Sequence, residues 1–306
     1  MQIVVGGASG MIGRGLVARL RERGDRVVVL VRREPEGADE LRWDPSTGHL
    51  DAEALAGADA VVNLSGASIA RLPWTRRHRH DILSSRVQAT TALVSALHAS
   101  AEAGRPVPVL VSGSAVGVYG TRPGESLTEE SAPGGGFLAG VVWAWEAAAL
   151  AAPSGTRVAL ARTGLVVGPE GATAPLRLLA RFGLAGPIAG GRQHWPWISL
   201  EDEVRALVHL VDTEVRGPVN LVGPEPADAA RVIRAVAAEA HRPAWLPTPG
   251  FAISLALGEG GRELLLADQL VRPTALEASG FAFAHPTVEE AVAAAAAGGS
   301  APGERT

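Results

Sequence analysis

The chain has 306 residues, 47% hydrophobic and 20% charged, with a net charge of -4. That is enough for a sizeable core and about two lobes, and no run approaches the roughly eighteen uncharged apolar residues that span a bilayer. Cysteine is absent and all 28 basic residues are Arg, which excludes disulfides, thiolate nucleophiles, sulfur-ligated metals and every form of lysine chemistry. Arg spread along an acidic chain points away from nucleic acid and toward a small-molecule partner. With neither a secretory pattern nor a membrane segment, a cytoplasmic location is expected.

In chain order, residues 2–6 form a short apolar run, then a glycine cluster, then Ile12, Leu16, Val17 and Leu20 at helical spacing, which reads as strand, tight turn, helix. Apolar runs at 27–31 and 60–64 suit strands buried on both faces of a parallel sheet. A helix is expected over 79–100, with further strands at 107–111 and 158–161. This alternation predicts an α/β fold, a Rossmann-type doubly wound parallel sheet with a smaller C-terminal α/β lobe. Residues 1–165 are expected to be the nucleotide-binding domain, with later segments returning to it. Residues 166–297 are expected to form the substrate side and small C-terminal domain, and 298–306 a flexible tail.

The turn Gly7-Ala8-Ser9-Gly10-Met11-Ile12-Gly13 is the strongest local signal. Its first glycine permits a turn that a side chain would block, its second lets the backbone approach a pyrophosphate, and its third lets the helix pack on the sheet, with helix amides facing the anion. At the end of the second strand stand Arg32 and Arg33, where an NAD site would carry an acid. Guanidinium groups there suit the 2′-phosphate of NADP(H), the alternative being exposed loop charges.

Further motifs join this turn: Asn63-Leu64-Ser65-Gly66, Ser112-Gly-Ser114-Ala-Val-Gly-Val-Tyr119-Gly120, Trp145-Glu146, Arg162-Thr163-Gly164, Gly186-Pro187 with Arg192-Gln193, and Gly280-Phe281-x-Phe283. Together they resemble the extended short-chain dehydrogenase/reductases, and more narrowly the YfcH-type epimerase family proteins with their small terminal domain of unknown function. The resemblance implies NADP(H) as cofactor, with Leu64, Ser65, Gly66 and Arg162 joining the glycine turn as binding residues; Arg86, further along the 79–100 helix, is expected to face the cofactor cleft. It leaves the activity open, because the label comes from sugar-nucleotide relatives.

Most members of that superfamily use a Tyr with a Lys four residues on, the Lys lowering the phenol pKa. Placing Glu146 on the acid that follows that pair puts Leu138 and Val142 at the two positions, and a chain with one Tyr and no Lys lacks the relay under any alignment. Candidate replacements are Ser114, the position that bonds a substrate oxygen in relatives; Tyr119, expected near the mouth of the cleft; and His194, in a flexible Gly-Gly-Arg-Gln-His segment. Each has a plain alternative: a turn serine, a packed aromatic, a surface histidine. Glu129 and Glu130 read as exposed loop acids, and Glu146 as a bonded structural group or a raised-pKa acid. The leading function is an NADP(H)-dependent oxidoreductase for a small carbonyl or alcohol. An epimerase or dehydratase with retained cofactor, or a non-catalytic NADP(H)-binding regulator, are the alternatives. Monomer and homodimer stay open.

Overall fold

Unbroken runs of Val, Ile, Leu and Ala give strands whose two faces both disappear into core. In the computed structural model, which describes residues 1–48, 50 and 52–298, these are β1 (Gln2–Gly6), β2 (Arg26–Val31), β3 (Glu40–Arg42), β4 (Ala60–Asn63), β5 (Val109–Ala115), β6 (Arg157–Thr163) and β7 (Gly217–Leu221). They pair in parallel in the order β7-β6-β5-β4-β1-β2-β3. Ile3, Val5, Val62, Val111 and Ala161 face one side, where helices α1 (Met11–Glu22) and α5 (Leu200–Asp212) cover them through Leu16, Leu20, Leu207 and Leu210. Val4, Val61, Leu110 and Leu160 face the other side, under Leu93 and Leu97 of α2 (Arg76–Glu102) and Ala149 of α3 (Phe137–Leu150). This is the doubly wound sheet anticipated from the alternation.

A second core holds the other lobe. It gathers Ala180 of α4 (Ala174–Arg181), Val232 and Ile233 of α6 (Ala229–Glu239), Val288 and Val292 of α9 (Val288–Gly298), and Trp195 and Trp197 from the intervening segment. Two short strand pairs, Leu165–Val167 with Trp197–Ser199 and His194–Trp195 with Ala227–Asp228, tie this lobe to the chain leaving β6. Helices α7 (Gly250–Gly261) and α8 (Thr274–Ala278) complete the C-terminal part.

The differences from expectation have local causes. The 79–100 helix starts at Arg76 because the Thr75 side chain caps it, accepting from His78 N at 3.1 Å. The 107–111 strand runs on to Ala115 and carries Ser112 and Ser114 into the sheet. Strands β3 and β7 were not anticipated; β7 opens with Gly217-Pro218, a turn signal that an edge strand tolerates. Of the expected 298–306 tail, residues 299–306 lie outside the described residues.

Candidate active site

The sheet register brings the C-terminal ends of the central strands into one row: Gly6 beside Asn63, Asn63 beside Ser112, and Ser114 beside Arg162. At the β1 end, Gly7 has φ +80, and a Cβ there would lie 2.5 Å from the Leu64 carbonyl carbon; a Cβ on Gly13 would lie 2.3 Å from Gly7 O. Both positions therefore exclude a side chain by contact with backbone. Gly10 differs. It is extended, caps α1 without any side-chain bond, and has only Gly7 O near its missing Cβ, at 3.6 Å. The space over it is open, and no acid stands in the first turn of α1 to compete for its amides. The turn is braced from outside: Arg14 donates to Ser9 O at 2.7 Å, Met11 packs at Gly168, and Ile12 lies against the core. These residues fit a bound pyrophosphate.

Arg32 and Arg33, adjacent at the end of β2, divide. Arg33 pairs with both oxygens of Glu40 at 2.7 Å on the protein surface. Arg32 is exposed and has no ion pair or hydrogen bond among the described residues.

Beyond β4, Asn63 is held by Thr90, to whose Oγ1 its amide donates at 3.0 Å, and its own Oδ1 accepts from Ser65 N at 3.1 Å. The Ser65 hydroxyl is buried without a protein partner. Gly66 makes room for Arg86: a Cβ would come within 3.0 Å of the guanidinium carbon. Arg86 Nη1 donates to Ala67 O and Ile82 O at 2.9 and 3.0 Å, and the guanidinium lies 5.2 Å from the Trp145 ring centre. Burial pushes its pKa down to about 10.

The ends of β5 and β6 carry a closed polar chain. Ser114 Oγ donates to Glu146 Oε1 at 2.5 Å, and Arg162 donates from Nε and Nη2 to the two Glu146 oxygens at 2.8 and 2.9 Å. Arg162 Nη1 also donates to the Tyr119 hydroxyl at 2.9 Å, which in turn donates to Asn220 Oδ1 at 2.7 Å. Tyr119 is 0% exposed, Ser114 4% and Arg162 5%. Three expectations are corrected by this. Tyr119 is a packed aromatic inside the protein, away from any cleft mouth, and burial raises its pKa against the pull of Arg162. The Ser114 hydroxyl is turned inward to Glu146, and all three Arg162 nitrogens are engaged inside the protein by Glu146 and Tyr119. Of the two readings of Glu146, the bonded structural group is the one found.

Glu129 is also corrected: its Oε1 accepts from Asn220 N and Ala275 N at 3.0 and 3.1 Å, so it docks α8 against β7 instead of facing solvent as a loop acid. On α3, Leu138 lies beside Gly117 and Val142 is buried, while Glu263 caps the helix by accepting from Phe137 N and Leu138 N at 2.7 and 2.8 Å.

His194 is partly exposed, with both its main-chain N and its Nδ1 on Asp268 Oδ1, at 2.8 and 2.9 Å. Gln269, the residue after Asp268, donates its backbone N–H to His194 O and its side-chain amide to Val116 O and Gly120 O, which joins His194 to the turn after β5. His194 Nε2 has no protein partner among the described residues. Asp268 and Asn220 were missed from the sequence because each acts on a residue tens of positions away and carries no local spacing.

Residues 3–223 match the NAD dependent epimerase/dehydratase family, and residues 248–295 match DUF1731, a domain of unknown function. The chain belongs to the NAD dependent epimerase/dehydratase family. Similar members of this epimerase/dehydratase family include "Epimerase family protein ML0860" of Mycobacterium leprae, 42% identical over 293 residues that cover 95% of this chain and 94% of that one. "Epimerase family protein YfhF" of Bacillus subtilis is 32% identical over 299 residues, 95% and 97% of the two chains. The crystal structure of human epimerase family protein SDR39U1 (isoform2) with NADPH superimposes with a TM-score of 0.88 at 30% identity, covering 97% of this chain and 99% of that one. Among the described residues no helix is long and apolar enough to cross a membrane.

Proposed function

We propose that this chain binds NADP(H) across the C-terminal edge of its sheet and is an oxidoreductase for a small carbonyl or alcohol that works without a Tyr and Lys pair. The observation that carries this reading is the row of unspent donors along that edge: the open α1 amides over Gly10, the unbonded Ser65 hydroxyl, and Arg32, free while Arg33 is held by Glu40. The NADPH named with the human relative supports it. Gly7, Ser9, Gly10, Met11, Ile12 and Gly13 would cradle the pyrophosphate, Leu64, Ser65 and Gly66 would border the nicotinamide half, and Arg32 would take the 2′-phosphate.

A bound nicotinamide supplies or accepts the hydride, so the matching proton has to come from this chain or from water. Ser114, Tyr119 and Arg162 are committed to one another and Glu146; their work is to hold the turn Val116–Tyr119 and the end of β6 in place. That leaves His194. Asp268 fixes its Nδ1–H tautomer and leaves Nε2 to accept or give a proton.

Arg32→Ala is expected to weaken NADPH binding about 10- to 100-fold and leave NADH unchanged, as calorimetry would read; equal loss for both nucleotides would remove Arg32 from the 2′-phosphate. His194→Gln is expected to slow NADPH oxidation with a panel of carbonyl compounds by roughly 100-fold or more, with NADPH affinity unaltered. A non-catalytic NADP(H)-binding regulator is the second reading, favoured by the closed Ser114–Glu146–Arg162–Tyr119 chain. Its signature is tight NADPH binding with no carbonyl turned over.

A further inference from the structure

Eleven large apolar side chains are exposed among the described residues, and eight of them fall in two short stretches, 178–184 and 245–255. The two stretches meet. Leu246 N donates to Ala185 O at 3.3 Å, and Thr248 N to Pro187 O and Ala189 N to Thr248 O at 2.9 Å each, so residues 185–189 and 246–248 run side by side as a ribbon. Gly186 allows the approach, since a Cβ there would lie 2.0 Å from Leu246 O. The chain enters one end of the ribbon from α4, past Leu178, Leu179, Phe182 and Leu184, beside Trp245 and Leu246. From the other end α7 departs with Phe251 and Leu255, four residues apart on one helix face.

A lone exposed leucine asks for no explanation, but a group of this size does. Phe182, Trp245, Phe251 and Leu255 are 73, 68, 74 and 86% exposed. At roughly 200 Å² for a whole side chain of this kind, the eight together offer on the order of 900 Å². Monomers rarely leave more than a few hundred Å² of apolar surface in one patch, and a standard interface covers about 800 Å² on each partner. The charge pattern narrows the partner. Arg181 is the only charged residue in either stretch, so the face lacks the basic rim that holds a protein to an anionic membrane. An apolar face nearly free of charge is complementary to itself, which is what a two-fold contact requires.

We propose that this face, built from the end of α4, Trp245 with Leu246, and the first half of α7, is the contact between two copies of this chain. It goes beyond the NADP(H) reading and does not depend on it.

The test is the mass in solution, by light scattering and sedimentation across a dilution series. Wild type is expected to be a dimer when concentrated and to dissociate on dilution. Phe182→Glu and Trp245→Glu, one on each stretch, are each expected to raise the dissociation constant about 100-fold or more, with unchanged far-ultraviolet circular dichroism because both side chains are exposed in the single chain. Trp143→Glu, on the outer side of α3 and 69% exposed, is expected to leave the dimer intact. Since the chain has no cysteine, Leu184→Cys supplies a single thiol whose maleimide labelling reads the face directly: slow in concentrated protein, fast in dilute. That measurement decides the matter if either Glu variant loses its circular dichroism signal.

A wild type that is monomeric at every concentration overturns the proposal, and its capture by phosphatidylcholine vesicles would then mark a membrane face. A dimer broken by Trp143→Glu but by neither Phe182→Glu nor Trp245→Glu also overturns it, placing the contact on α3. So does Leu184→Cys that labels equally fast in dimer and monomer, or that is slowed by NADPH in dilute protein, which would make the face a wall of the cofactor cleft.

Discussion

Glu203→Gln is expected to stabilise the protein markedly at pH 8 and above and to leave it nearly unchanged at pH 4.5 and below. Glu203 sits in the first turn of α5 and is 0% exposed. One oxygen accepts from Thr163 Oγ1 at 2.7 Å, and the other is buried without a partner. Burial pushes the pKa up to about 8 from 4.5, against the single favourable bond from Thr163. Below pH 4.5 both the folded and the unfolded chain hold the proton. Between there and pH 8 the folded state keeps a proton that the unfolded state releases, so stability falls by about 1.4 kcal/mol per pH unit as pH rises. Above pH 8 both states are ionised and the accumulated penalty levels off, on the order of 5 kcal/mol. Gln keeps the acceptor for Thr163 and cannot ionise. Denaturant unfolding of both proteins from pH 4 to pH 9 reads the difference directly; parallel stability curves would mean that the folded state holds Glu203 ionised at no penalty.

The parts of the fold legible in the sequence are those whose cause is local. Buried strands such as β1, β2 and β4 are apolar without interruption because both faces meet core, and the glycine turn declares itself because positive φ and backbone contact forbid other residues. β3, with three residues and a polar Glu and Arg, and β7, opening on Gly217-Pro218, lie at the sheet edges, where one neighbour is missing and the residue pattern relaxes.

Side-chain roles were less legible, since they depend on which way a residue points and what meets it there. Arg32 and Arg33 look equivalent in sequence, yet only one finds Glu40 across β2 and β3. Ser114 faces Glu146 from 32 positions away, and Tyr119 meets Asn220 from 101 away. A strand residue's face is set by register, and its partner by how α3 and β7 settle onto the sheet. The sequence therefore named the right polar residues around β5 and β6 while misreading three of them as open to ligand. The missing Tyr and Lys pair needed no register at all, because composition decides it.

Arg162→Met is expected to cost about 3–5 kcal/mol of stability at neutral pH, because it strands the Glu146 carboxylate inside the protein with only the Ser114 hydroxyl as donor. The Tyr119 hydroxyl loses a donor in the same step but keeps Asn220 as acceptor, so the charge is the larger loss. Glu146→Leu alone strands the guanidinium in turn and is expected to be similarly damaging. Together the two substitutions remove both charges, and the double variant is expected to recover most of what either single variant loses, so that the coupling in a denaturant cycle exceeds either single loss. The recovered protein tests the division of labour at this site. If the pair only holds the turn Val116–Tyr119 and the end of β6, the double variant binds NADPH as wild type does, since the open amides over Gly10, the Ser65 hydroxyl and Arg32 are untouched. Strictly additive losses in the cycle would mean that Glu146 relaxes to water once Arg162 is gone, and that the polar chain is not closed.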